Sequence, residues 1–177
     1  MRNGLIPPTL NGSTAEGAAG NARPPEGAED PLRLEGFLPY RLSTLSSAVS
    51  QTLAQAYGKR FGISIPEWRV LATLGQYSVL TARDIGTHSH MHKTTVSRAV
   101  ATLEKRRLIL RRTNRADMRE AFLALTETGA EVYLEIVPMA KAFSESLCRD
   151  LDQSERDLLD RLLDKLSERI AHLGNGG

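Results

Sequence analysis

From residue 38 to residue 61 apolar side chains recur every three or four positions: Leu38, Leu42, Leu45, Val49, Leu53, Tyr57 and Phe61. That is the period of one buried stripe on a helix, and Pro39 suits its first turn. Ser64-Ile65-Pro66-Glu67 marks a second helix start. Ser64 can cap, Glu67 can reach back as its partner, and Pro66 sits where no amide is needed. Val70, Leu71 and Leu74 form the apolar side of that helix. Thr81-Ala82-Arg83-Asp84 repeats the capping pattern and opens a short helix to about His88. After a turn, a further helix starts near His92, with Val96, Ala99, Val100 and Leu103 on its buried side.

The periodicity then changes. Leu108–Arg112 and Ala121–Leu125 read as two short strands, joined by the polar, charged loop Thr113–Glu120. Thr126 can cap another helix through Tyr133, Ile136, Phe143 and Leu147, in which Pro138 is expected to produce a kink. Asp152 and Glu155 open the last helix. Its stripe is broad: Leu158, Leu159, Leu162, Leu163, Leu166, Ile170 and Leu173, before Gly174.

A short helix, a turn, a second helix and a charged hairpin together make a winged helix-turn-helix. The expected fold is therefore mainly α with a small β-wing, dimerised by its N- and C-terminal helices. The expected divisions are a tail over 1–35, a domain over 36–173 and a short end at 174–177. Within the domain, 63–126 forms the DNA-binding lobe, while 36–62 and 127–173 form the dimerisation arms. The outer helices carry more apolar surface than so small a lobe can cover, which favours a homodimer. Residues 1–35 are rich in Gly, Pro and Ala and hold no aromatic residue, so they have little to offset the entropy of ordering.

Composition adds little until its distribution is considered. The net charge is only +2. Between Lys93 and Arg119, however, nine basic residues face two acidic ones, a local net of +7. Between Asp150 and Glu168 seven acids face three bases, a local net of −4. Phosphates respond to charge within about one Debye length, roughly 8–10 Å, so the basic segment matters more than the total. The single cysteine, Cys148, excludes a disulfide within one chain. Neither a membrane-length apolar run nor a signal-peptide core is visible, and a cytoplasmic protein with no membrane partner is the expectation.

On a helical wheel Thr94, Arg98 and Ala101 lie opposite the buried side of the fourth helix, flanked by Lys93, Thr95 and Ser97. Arginine can grip guanine with two hydrogen bonds, and threonine can meet a thymine methyl or a phosphate. Arg115 and Arg119 in the wing are candidates for phosphate or minor-groove contact. Asp117 is out of place near a polyanion unless it pairs with Arg119 and holds the guanidinium in position. A solvated polar face and a charged hairpin tip are the plainer alternatives for these two elements.

Thr94-Thr95-Val96-Ser97-Arg98 with Leu103, and Asp117-Met118-Arg119 followed by Leu123-Ala124-Leu125-Thr126 and Gly129, resemble the recognition helix and wing signature of the MarR family of bacterial regulators. The resemblance extends over about residues 37–173 in element order. It implies a dimeric winged helix-turn-helix protein on a palindromic operator. Such proteins are usually repressors released by a small ligand, often an aromatic acid or its thioester, or by oxidation. It also implies the pairing of Asp117 with Arg119. Two departures stand out. His92 occupies a capping position that is acidic in many relatives, and the first helix lacks the cysteine of the peroxide-sensing members.

Arg41 and Ser46 on the first helix, with Trp68 and Arg69 on the second, are the candidate ligand-binding residues. A cation beside an aromatic ring suits an aromatic carboxylate. Equally, Trp68 can serve the core and Arg41 the surface. His88, His90 and His92 alternate as in a metal-binding loop, but no cysteine or second cluster completes a tetrahedral site, so no metal or cofactor is expected. The absence of a Gly-rich phosphate loop, a nucleophile motif or a zinc-protease motif argues against an enzyme. The alternatives left open are an activating or ligand-independent DNA-binding regulator, and a winged-helix protein-interaction module.

Overall fold

The computed structural model describes residues 32–113 and 121–174. Two compact units divide the chain, one ending at Arg41 and the other beginning at Leu42. In the first, a 3-10 turn spans Leu34–Gly36 and the apolar residues Leu32, Leu34, Phe37, Leu38 and Tyr40 are exposed.

Among the described residues six α-helices and three strands follow in chain order: α1 Leu38–Phe61, α2 Ile65–Tyr77, β1 Val79–Thr81, α3 Ala82–Ser89, α4 Lys93–Lys105, β2 Ile109–Thr113, β3 Ala121–Leu125, α5 Glu127–Leu147 and α6 Gln153–Gly174. The expected helix starts form where the side chains can satisfy their free amides. Glu67 accepts the Ser64 amide at 2.9 Å, and Asp84 accepts the Thr81 amide at 3.1 Å and its hydroxyl at 2.8 Å. The Thr126 hydroxyl accepts the Gly129 amide at 3.0 Å. At the head of α6, Glu155 accepts from the Asp152 amide and Asp152 from the Glu155 amide, each at 2.9 Å. α5 runs unbroken through Pro138.

The sheet contains one strand more than the sequence pattern suggests. β1 pairs antiparallel with β3, Leu80 opposite Leu123, and β3 pairs antiparallel with β2, giving the order β1-β3-β2. Three residues following a helix end are too few to show a period of two.

The core of the second unit is closed. Val70, Leu71, Leu74, Ile85, Val96, Val100, Leu103, Leu123 and Ile136 are buried, and Tyr57 joins them from α1. Gly129 has a packing role here. A Cβ at this position would run into the carbonyl of Leu108, which already accepts the Thr126 amide at 3.1 Å. Only hydrogen allows the first turn of α5 to sit so close to the root of the wing.

Candidate nucleic-acid interface

α3 and α4 meet through a tight corner. His90 ends α3 in the left-handed region, with φ 51°, and the Met91 amide returns to the Gly86 carbonyl at 3.1 Å. Burial of Val96, Ala99, Val100 and Leu103 then fixes which side of α4 faces outward. Lys93, Thr94, Ser97 and Arg98 lie exposed on that side, and Thr95 is half-buried at its edge. Five of the eight residues expected to contact DNA are thus together on one helix. The other three, Arg115, Asp117 and Arg119, fall outside the described residues.

Beside α4 is a concavity of about 690 Å³ whose lining includes Arg83 and Thr87 from α3, Lys93 and Ser97 from α4, and Arg111 from β2. The two α3 residues escape a reading confined to the fourth helix and the hairpin. Their signal was present in the exposed side of the capped segment Ala82–Ser89. The cations here are not equivalent. Arg111 is bound in a two-pronged ion pair, Nε and Nη2 each donating to Glu104 at 2.9 Å. That hydrogen bonding holds the Glu104 carboxyl below its usual range and raises Arg111 further. Arg106 donates to backbone carbonyls of α1 and its following residue, at 2.6 Å to Phe61 and 2.9 Å to Gly62. Two of the positive charges counted along the sequence are therefore engaged within the fold.

The three histidines have separate surroundings. His88 stacks on Tyr77, with ring centroids 4.3 Å apart. His90 supplies the left-handed corner. His92 precedes α4 without a side-chain capping bond, as an imidazole in place of an acid suggests. Among the described residues no group of three or more His, Cys, Asp and Glu is arranged to hold a metal. Asp84, near His88, is held below the usual carboxylate range, mainly by the hydroxyl and amide of Thr81.

The candidate ligand residues divide between the two units. Arg41 belongs to the first, and Ser46, Trp68 and Arg69 to the second. Ser46 is exposed on α1. The Arg69 guanidinium donates to the Ser50 hydroxyl at 3.4 Å. Trp68 is half-buried between two tyrosines, 5.6 Å from Tyr57 and 6.1 Å from Tyr133 by ring centroid. One side of Trp68 also lines a shallow groove of about 440 Å³ with Gln76, Tyr133, Lys141 and Ser144. Trp68 thus packs against the core and also lines a groove, whose cation, Lys141, is not among the residues expected from the sequence. Among the described residues no helix is long and apolar enough to cross a membrane.

Comparison with known proteins finds likenesses to one family of regulators. The MarR family model matches residues 63–121. The transcriptional regulator Hpr of Shouchella clausii is 28% identical over 118 residues, covering 65% of this chain but only 59% of that protein. A MarR/EmrR family transcriptional regulator from Acinetobacter sp. ADP1 superposes with a TM-score of 0.73 at 26% identity, covering 80% of this chain and 99% of that one. BpsR of Bordetella bronchiseptica, whose DNA binding is regulated by 6-hydroxynicotinic acid, shares the fold with a TM-score of 0.69 at 22% identity, over 78% and 98% of the two chains.

Proposed function

We propose that this chain, which belongs to the MarR family, is a DNA-binding transcriptional regulator acting as a homodimeric repressor on a palindromic operator. The observation that carries the reading is α4. It buries Val96, Ala99, Val100 and Leu103 while exposing Lys93, Thr94, Ser97 and Arg98 on the opposite side. A helix so mounted can enter the major groove, with Arg98 and the threonines reaching base edges and Lys93 a phosphate. Arg83 and Thr87 are placed to position α3 over the backbone. Arg115 and Arg119, steadied by Asp117, are assigned to the wing's contact with the minor groove or phosphates.

The dimer reading is supported by α6. None of its residues is buried, and Leu158, Leu159, Leu162, Leu163, Ile170 and Leu173 are between 41% and 65% exposed. A stripe of that length on a single helix is stable in water only when another surface covers it. A second copy covers it and brings a second recognition helix.

Release by a small aromatic acid or its thioester completes the proposal. The groove beside Trp68 and Tyr133 offers flat apolar walls, with Lys141 to receive a carboxylate. This moves the proposed carboxylate partner from Arg41 to Lys141. BpsR, regulated by an aromatic acid, has the same fold. To release DNA, the ligand must favour the DNA-incompetent state by about 1–3 kcal/mol.

Selection of genomic fragments by the purified protein, followed by titration at several salt concentrations, tests the regulator reading. A palindromic consensus with steep salt dependence is the expected result. Binding without sequence preference or salt dependence would leave an interaction module as the better reading. Arg98→Ala should relax the preference at one position in each half-site, by about 1–3 kcal/mol. A full wild-type consensus from that variant would reduce Arg98 to a backbone contact. Aromatic acids titrated against the protein–DNA complex, with Trp68 fluorescence as a second readout, test the effector class. An identical response from Lys141→Ala would remove the groove from the proposal.

A further inference from the structure

The last carbonyls of an α-helix have no amide above them and carry the negative end of its dipole. At the end of α1 this terminus is held by a side chain from elsewhere in the fold. Arg106, the residue that follows α4, donates through Nη2 to the Phe61 carbonyl at 2.6 Å and through Nη1 to the Gly62 carbonyl at 2.9 Å. The acceptors point where one guanidinium can reach both because Gly62 turns out of the helix with φ +60°, its amide returning to the Gly58 carbonyl at 2.8 Å. A left-handed residue after the last turn is the usual place for glycine. Arg60, one residue earlier, pairs with Glu135 of α5, so the same corner is tied on a second side.

We infer that Arg106 is a positioning residue that fixes the angle between α1 and the recognition helix α4. Its own amide closes the end of α4 by donating to the Thr102 carbonyl at 3.1 Å, so its backbone moves with that helix. The planar fork then transfers the orientation to two successive carbonyls at the end of α1. Lysine is no substitute, because its ammonium offers its three donors from one point on a flexible stem rather than in a fixed planar fork. The consequence for DNA rests on the proposed function: in a dimer, the angle of α4 to the arm sets the separation of the two recognition helices. Arg106 thereby selects the spacing of the half-sites, although it lies in the basic run that suggests phosphate contact.

Two measurements test this. The first needs neither DNA nor a dimer. Spin labels at Gln55→Cys on α1 and Thr102→Cys on α4, in a Cys148→Ser background diluted with unlabelled chain, report the distance within one chain. One narrow distribution is expected with Arg106, and a broadened or shifted one with both Arg106→Ala and Arg106→Lys. Unchanged distributions would overturn the inference. The second compares the selected operator with versions lengthened or shortened by one base pair at the centre. Preference for the native spacing should flatten by about tenfold in both variants, within the usual range of coupling between sites. If Arg106→Lys keeps the preference and Arg106→Ala only lowers the salt slope by about one, Arg106 is a phosphate contact and the inference fails. If the unmodified protein selects no operator, the proposed function falls while the distance measurement still decides the positioning role. Should Arg106→Ala fail to fold, Arg106→Lys carries both measurements, and failure of both to fold would make the contact a folding requirement instead.

Discussion

The lobe from α2 to β3 and the terminal helix α6 are both apolar along one side, yet they use that surface in opposite ways. In the lobe, Leu71, Ile85, Leu103 and Leu123 are completely shielded by neighbours within the same chain. On α6, Leu162 is 48% exposed and Leu163 45%, and no residue of the helix is buried. From its first turn, Arg156 of α6 reaches back to Glu145 of α5 at 3.2 Å and to the carbonyl of Cys148, the residue that follows α5, at 2.6 Å. The lobe closes its core within one chain, with Tyr57 from α1 and Ile136 from α5 completing it. α6 has what it needs to be a helix, but among the described residues its apolar side stays exposed. One part of the molecule puts its apolar surface into a core, and the other leaves it exposed, which is where the proposed dimer would form.

Charging α6 is the strongest way to break this contrast. Leu162→Asp with Leu166→Asp should dissociate the proposed dimer, because unpaired charges would be carried into its interface at a cost of several kcal/mol each. Sedimentation at micromolar concentration should show a monomer whose lobe retains its helical signal. A dimer that survives with full operator affinity would place the interface elsewhere. In the lobe, truncation alone should be felt. Leu103→Ala leaves a cavity among Val96, Val100 and their neighbours, and should cost about 2–5 kcal/mol in denaturant unfolding. Equal sensitivity to Leu162→Ala would erase the distinction between the two regions.

Gly129→Ala sharpens the comparison at the junction of lobe and arm. The added methyl meets the Leu108 carbonyl, so α5 has to shift away from the root of the wing. Overpacking of this kind costs about 1–3 kcal/mol. Thermal unfolding together with operator titration separates the outcomes: a lower midpoint with an intact dimer is expected, and an unchanged midpoint would mean the junction has slack.

How much of this was legible in advance depended on sequence distance. Of the five α-helices that follow α1, α2, α3 and α6 start where a capping residue and a partner three positions on announce them, and α5 starts at a capping threonine alone, because that chemistry is local. The faces of α4 and α6 follow from a period of 3.6 within one helix. What the sequence did not reveal was non-local. β1 becomes a strand only because Val79, Leu80 and Thr81 find β3 more than forty residues later. Arg106 reads as one more cation in a basic run until the fold brings Phe61 and Gly62 beside it. Lys141 gains meaning only when α5 lies against Trp68. Charge counting likewise treats Arg111 as free, although Glu104, seven residues earlier, holds it.

The smallest expected effect concerns pH at the head of α3, where the lobe's economy of local bonds can be tested directly. Asp84 accepts the amide and hydroxyl of Thr81, and the Thr81 hydroxyl accepts the Asp84 amide at 3.2 Å. These bonds favour the charged carboxylate and lower its pKa from the ordinary 3.8. The unfolded chain therefore binds a proton more readily than the folded one. The resulting stabilisation is fully present above about pH 4 and is lost as pH falls through the depressed folded value. Asp84→Asn keeps the shape and removes the titration. Near neutral pH it should lower stability by about 0.5–1 kcal/mol, the lower part of the range for a cap. The difference between variant and parent should then shrink as the pH drops below 4. A difference that persists unchanged at low pH would show that Asp84 does not act through its charge. The equivalent titration at Asp152, which is fully exposed at the head of α6, should move lobe unfolding far less, because no residue of α6 is buried in the core that unfolds.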